Sequence, residues 1–192
     1  GRARERPAPR LPERRWDEAA QLELTRHLAR MVGFDERGGV IALSPHPLTS
    51  TPHRGDVRFS THVDPGNPVV NVLVTLHELG HALYDQGFAD EYDRTLLYEA
   101  PSLGAQESQS RFFEMHVGCS LPLWSSIEPE MRRLFPAAMD GIGPEGLLAS
   151  ATVVRPGPLR LEADEVTYNL HIALRFELEL ALMRGELAVE DL

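Results

Sequence analysis

The stretch Leu76-His77-Glu78-Leu79-Gly80-His81-Ala82-Leu83 sets two histidines four residues apart, with a glutamate directly after the first. On a helix, residues i and i+4 lie one above the other on a single face. Two imidazoles so placed reach one metal ion, and Glu78 stands where it can take a proton from water at that ion. The apolar neighbours Val72, Val74, Leu76, Leu79 and Ala82 are expected to bury this helix and hold the histidines rigid. The competing reading is a core helix with two hydrogen-bonded histidines. It leaves Glu78 unexplained in an otherwise apolar segment.

A catalytic zinc takes three protein ligands and keeps one position open. The candidate for the third is Glu107, in the polar run Gln106-Glu107-Ser108-Gln109-Ser110-Arg111. The 25 residues from Ala82 to Gln106 suffice to turn the chain and set a second helix against the first. His, His and Glu together form the donor set of thermolysin-like metallopeptidases. Carboxylates are favoured in the first turn of any helix, so Glu107 reads equally well as a solvated first-turn residue.

Around these residues the punctuation predicts mostly helix. Helices are expected over 12–32, 69–86, 104–118, 122–136, 143–151 and 164–184, ended by glycine or proline. Residues 38–44 and 56–62 read as strands; in the second, Val57 and Phe59 alternate with Arg58 and Ser60. The stretch 45–55, rich in proline, threonine and histidine, reads as a loop. The fold class is therefore mainly α, with a small sheet of two or three strands.

The chain has 192 residues, 29 acidic and 19 basic, a net charge of −10, and all its basic residues are arginine. That length suits a single domain (1–192) with a substantial core; residues 1–11 are expected to be flexible. The acidic balance argues against nucleic-acid binding. No apolar run reaches the ~20 residues needed to cross a bilayer, so no membrane partner is expected. One cysteine, Cys119, fits a reducing, cytoplasmic setting.

Five blocks in order carry a family resemblance: His46-Pro47-Leu48-Thr49, Asp56-Val57-Arg58-Phe59-Ser60-Thr61, His77-Glu78-Leu79-Gly80-His81, Glu107-Ser108-Gln109-Ser110-Arg111, and Leu159-Arg160-Leu161-Glu162-Ala163-Asp164 running on to Ile172. On these the chain resembles the thermostable metallocarboxypeptidases of the carboxypeptidase Taq type. The resemblance implies a helical, zincin-like metallopeptidase core and release of C-terminal amino acids from peptides. It also implies metal ligation by His77, His81 and Glu107, and a general-base role for Glu78. Arg160 is implied to grip the substrate's C-terminal carboxylate, which a guanidinium can do with two hydrogen bonds. Zn2+ is the expected metal, with Co2+ or another divalent ion also accepted by such ligands. A homodimer is the expected assembly.

Other residues stay open at this point. Asp56 and Arg58 either line the site or pair with each other along the strand. His46 either orients substrate or is simply exposed. His171 and Tyr168 read as buried in a helix interface. Three departures from the family pattern stand out. Gln106 replaces the usual histidine, which is expected to weaken any contact from that side chain. Leu48 replaces the usual phenylalanine. Family members run to more than twice this length, so their N-terminal and C-terminal regions are expected to be absent. The alternative function is accordingly a truncated metal-binding homologue, weak or inactive as a peptidase, that serves as a structural or interaction module.

Overall fold

Asn67 and Pro68 begin the central helix for local reasons. The Asn67 side chain accepts the Val69 N–H at 3.1 Å, and proline suits a first helical turn because its missing N–H is not needed there. In the computed structural model this helix, α2, runs Pro68–Gln86 and ends at Gly87. The structure describes residues 11–158, 160 and 163–191. The flexible lead expected over 1–11 falls almost wholly outside them, as do Leu159, Leu161 and Glu162 of the last motif block.

Two compact units divide the chain. The larger, Pro9–Ala151, holds α1 (Glu18–Met31), β1 (Gly39–Leu43), β2 (Thr49–His53), β3 (Asp56–Thr61) and α2. It continues with α3 (Leu103–Arg111), a π-helical stretch (Phe112–Val117), α4 (Leu121–Leu134) and α5 (Pro144–Ala151). The sheet has the order β1-β3-β2, with β1 parallel and β2 antiparallel to the central β3. Val57, Phe59 and Thr61 of β3 are buried while Arg58 faces out; Ser60, expected on the face of Arg58, is buried as well, its hydroxyl accepting from Leu48 N at 3.0 Å.

The core forms where α1, α2 and α4 converge with β3, around Trp16, Leu24, Phe59, Leu76, Trp124 and Met131. A buried polar knot crosses it. The Thr75 hydroxyl pairs with those of Thr61 at 2.8 Å and Thr25 at 3.2 Å, and Asn71 donates to the His62 carbonyl at 2.9 Å. These bonds stitch α1, α2 and β3 together while satisfying groups that would be costly to bury alone.

Several boundaries differ from expectation. α1 starts at Glu18 rather than near 12, because Asp17 caps it by accepting from Ala20 N at 2.9 Å. The expected loop 45–55 contains β2, an edge strand with Pro52 in it, which an edge tolerates. The helix expected over 104–118 is α only to Arg111 and π-helical beyond.

The second unit, described by itself from Thr152 onward, carries α6 (Tyr168–Met183). The carboxylate of Asp164 accepts from Val166 N and Thr167 N, each at 2.9 Å. That turn delays the helix from the expected 164 to 168. No residue of α6 is buried, so His171 and Tyr168 do not lie in the tight helix interface expected for them. No helix among the described residues is long and apolar enough to cross a membrane.

Candidate metal centre

Helical spacing sets His77 and His81 on one face of α2, their rings edge to face with centroids 4.9 Å apart. α3 lies against the same helix at Gly80. A Cβ at Gly80 would come within 2.5 Å of Ser110 Cα and 2.8 Å of the Gln109 carbonyl, so only glycine permits this approach. The close crossing brings Glu107 to the histidines. Its Oε2 lies 3.3 Å from His81 Nε2 and 3.8 Å from His77 Nε2. Ser110, fully buried, steadies Glu107 by donating to its carbonyl at 2.8 Å.

This donor set fits a metal ion. Atoms bound at about 2.0–2.2 Å to one tetrahedral ion stand roughly 3.3–3.6 Å from each other. One donor atom each from His77, His81 and Glu107 gather within 4.8 Å. Without an ion, the three groups hold one another. Burial disfavours the charged form of His81, but hydrogen bonds to Glu107 and Gln106 outweigh it and raise its pKa above the usual imidazole value. Burial likewise opposes ionisation of Glu107. The His81 bond and the two nearby imidazoles overcome that, and its carboxyl titrates lower than normal.

Both ring nitrogens turned away from the donor cluster are tied back. His77 Nδ1 meets Glu114 Oε2 at 2.7 Å, and Arg111 Nη1 donates to the same oxygen at 2.7 Å. His81 Nδ1 meets Gln106 Oε1. Such outer partners orient ligating imidazoles. Gln106, which stands where the family pattern has histidine, touches His81 directly through its amide.

Glu78, only 6% exposed, follows His77 on α2, and its Oε2 accepts the Thr49 hydroxyl at 2.6 Å. Thr49, Pro47, Leu48, Glu78, His81 and Gln106 line a cavity of about 270 Å3. A larger cavity of about 370 Å3, lined by Leu83, Tyr84, Phe88, Gln109 and Phe113 among others, includes none of the cluster residues, so donor chemistry and not size marks the site.

Of the remaining candidates, Asp56 and Arg58 pair with each other through two bonds of 2.7 Å on the outer face of β3. His46 is exposed. Arg160 stands in the second unit, where its Nη1 donates to the Tyr168 hydroxyl at 2.9 Å. Four residues around the site were not anticipated: Thr49 as a partner of Glu78, Asp85, Arg111 and Glu114. Asp85 carried a legible signal, since His77, His81 and Asp85 fall at i, i+4 and i+8 and share a helix face.

An H-E-x-x-H helix whose histidines meet a glutamate from the next helix has the donor arrangement of the His, His, Glu class of metallopeptidases. The chain belongs to the carboxypeptidase Taq (M32) metallopeptidase family, whose model matches residues 2–192. It is 41% identical over 187 residues to the thermostable carboxypeptidase 1 of Thermus thermophilus, covering 97% of this chain and 36% of that protein. To carboxypeptidase 1 of Bacillus subtilis it is 34% identical, covering 90% of this chain and 34% of the relative. The M32 carboxypeptidase crystal structure from Deinococcus radiodurans superposes with a TM-score of 0.91 at 38% identity, over 96% of this chain and 38% of that one. The chain therefore spans about a third of the length of the curated relatives it matches.

Proposed function

We propose that this chain carries the catalytic centre of a metal-dependent carboxypeptidase that releases C-terminal amino acids from peptides. The observation that carries the reading is the meeting of His77 Nε2, His81 Nε2 and Glu107 Oε2 beside a buried, oriented Glu78. His77, His81 and Glu107 hold the ion, and zinc is the metal that this donor set suits best. A divalent ion bound there supplies Lewis acidity toward the scissile carbonyl and acidifies water.

The chain's own groups do the rest. Thr49 engages Oε2 of Glu78, which leaves Oε1 to take a proton from the attacking water and pass it to the leaving amine. Arg160 recognises the C-terminal carboxylate. A guanidinium carries five N–H donors, so its single bond to Tyr168 leaves a fork for substrate. The substrate is a peptide with a free C-terminal carboxylate, the setting is cytoplasmic, and the assembly is a homodimer.

A second reading, a metal-binding module without turnover, is favoured by the unburied apolar residues of α6, which suit association more than enclosure of a substrate. One experiment separates the two. Zinc-loaded chain is given matched peptides with free and amidated C termini, beside a Glu78→Gln control. The enzyme reading expects cleavage of the free peptide alone, reduced about 10²–10⁴-fold in the control with zinc retained. Zinc binding with no cleavage of any peptide would establish the second reading; equal cleavage of both peptides would remove Arg160 from its role.

A further inference from the structure

Gln106 sits between His81 and Asp85, and its amide can face only one way. The Asp85 carboxylate offers acceptors alone. Its Oδ2 takes the Thr51 hydroxyl at 2.6 Å, and its Oδ1 takes the Gln106 Nε2–H at 3.0 Å. With the NH2 end committed to Asp85, the carbonyl Oε1 is the end that meets His81 Nδ1. A carbonyl oxygen accepts and never donates, so Nδ1 must carry the hydrogen. The neutral ring then keeps its lone pair on Nε2, the atom that faces Glu107 at 3.3 Å.

We propose that Thr51, Asp85 and Gln106 form a relay that locks His81 in the tautomer able to ligate a metal through Nε2, with Gln106 as its positioning residue. The inference rests on the metal-site reading above. Each member comes from a different element: Thr51 from β2, Asp85 from α2 one turn beyond His81, and Gln106 from α3. The relay therefore registers the edge strand and both helices on one imidazole. His77 is held by other means, a carboxylate (Glu114) backed by a guanidinium (Arg111). One histidine has a charged partner and the other a neutral partner whose direction is set by a charge one step away.

The test compares the full chain with Gln106→Met, Gln106→Glu and the double variant Gln106→Glu/Asp85→Asn. Zinc affinity is read by competition with a chromophoric chelator. The His81 tautomer is read by long-range proton–nitrogen NMR above the imidazole titration range, in metal-free protein carrying Glu107→Ala, which removes the carboxylate that would otherwise hold a hydrogen on Nε2. With Gln106 in place, His81 should there be protonated at Nδ1 alone. Gln106→Met should show a mixture of tautomers and bind zinc about 10–100-fold more weakly. Gln106→Glu sets two carboxylates together and should also weaken binding, whereas the double variant restores a donor to the carboxylate and should return affinity to near the parent value. A parent-like tautomer and affinity in Gln106→Met would overturn the relay. So would a double variant no better than Gln106→Glu, since a merely structural role predicts no rescue. A parent that binds no zinc would overturn the metal-site reading instead, and the NMR result would still decide the relay.

Discussion

Helices α2 and α6 are similar in length, 19 and 16 residues, and both are rich in leucine and other apolar side chains. Ten residues of α2 are buried, and none of α6 is. Leu76 of α2 is fully covered, while Leu170, Leu174 and Phe176 of α6 are 66%, 55% and 64% exposed. Composition alone therefore does not separate a framework helix from an uncovered one. What differs is the company: α2 lies against α1, α3, α5 and two strands. A helix of α6's length is marginal in water without such packing. His77 and His81, the two candidate ligands from the H-E-x-x-H motif, ride on the helix whose position is fixed by the core.

That contrast is tested most severely by paired truncations. Leu76→Ala should lower stability by about 2–5 kcal/mol, because the core cannot collapse onto the lost side chain. Leu174→Ala should change it by less than about 0.5 kcal/mol, as at other surface positions. Denaturant melts of both variants give the comparison. Similar losses in the two would mean that α6 is covered in solution, as the proposed homodimer expects if α6 forms its interface.

A smaller effect is expected at the crossing of α2 with α3. A methyl group at Gly80 collides with backbone of α3 at Ser110 and Gln109, and backbone cannot swing aside as a side chain can. Gly80→Ala should cost about 1–3 kcal/mol and, by moving Glu107 off the histidines, weaken zinc binding as well. Thermal melts with and without zinc distinguish the two consequences. Lost stability with unchanged affinity would show that Glu107 keeps its place at the histidines despite the shift.

The sequence was most legible where local chemistry and tertiary packing agree. α2 could be read to within a residue because Asn67, Pro68, the apolar spacing and Gly87 all point to the same helix. β2 was not legible. Thr49-Ser50-Thr51-Pro52-His53 has no apolar alternation, and the strand exists because β3 pairs with it and because Thr49 and Thr51 reach Glu78 and Asp85 across the fold. The pair of histidines announced a site through spacing alone. Glu107 needed the family blocks, since a glutamate expected in a first turn has an ordinary explanation; in the structure it lies past the first turn of α3. Glu114 was unreadable for a similar reason: its role exists only once α2 brings His77 beside the π-helical stretch.

The smallest expected effect concerns how the two helices start. α2 begins beneath an amide, Asn67, which does not titrate, whereas the turn into α6 is closed by the carboxylate of Asp164. Burial opposes ionisation of Asp164, but hydrogen bonds from the Thr167 and Arg155 backbone and the Thr167 side chain prevail and lower its pKa below 3.8. A carboxyl whose pKa is depressed on folding adds stability that is present above its unfolded value and fades as pH falls through the folded one. Acidification below about pH 4 should therefore loosen the entry to α6 and leave that of α2 unchanged, at a cost of about 1 kcal/mol or less for a partly exposed group. The amide proton shifts of Val166 and Thr167, followed from pH 5 downward, report the loss directly. In Asp164→Ala the same two shifts should already sit at their loosened positions at pH 5 and move little on acidification. If Val69 in α2 moves in step with them, the acid response belongs to the whole chain and not to this turn.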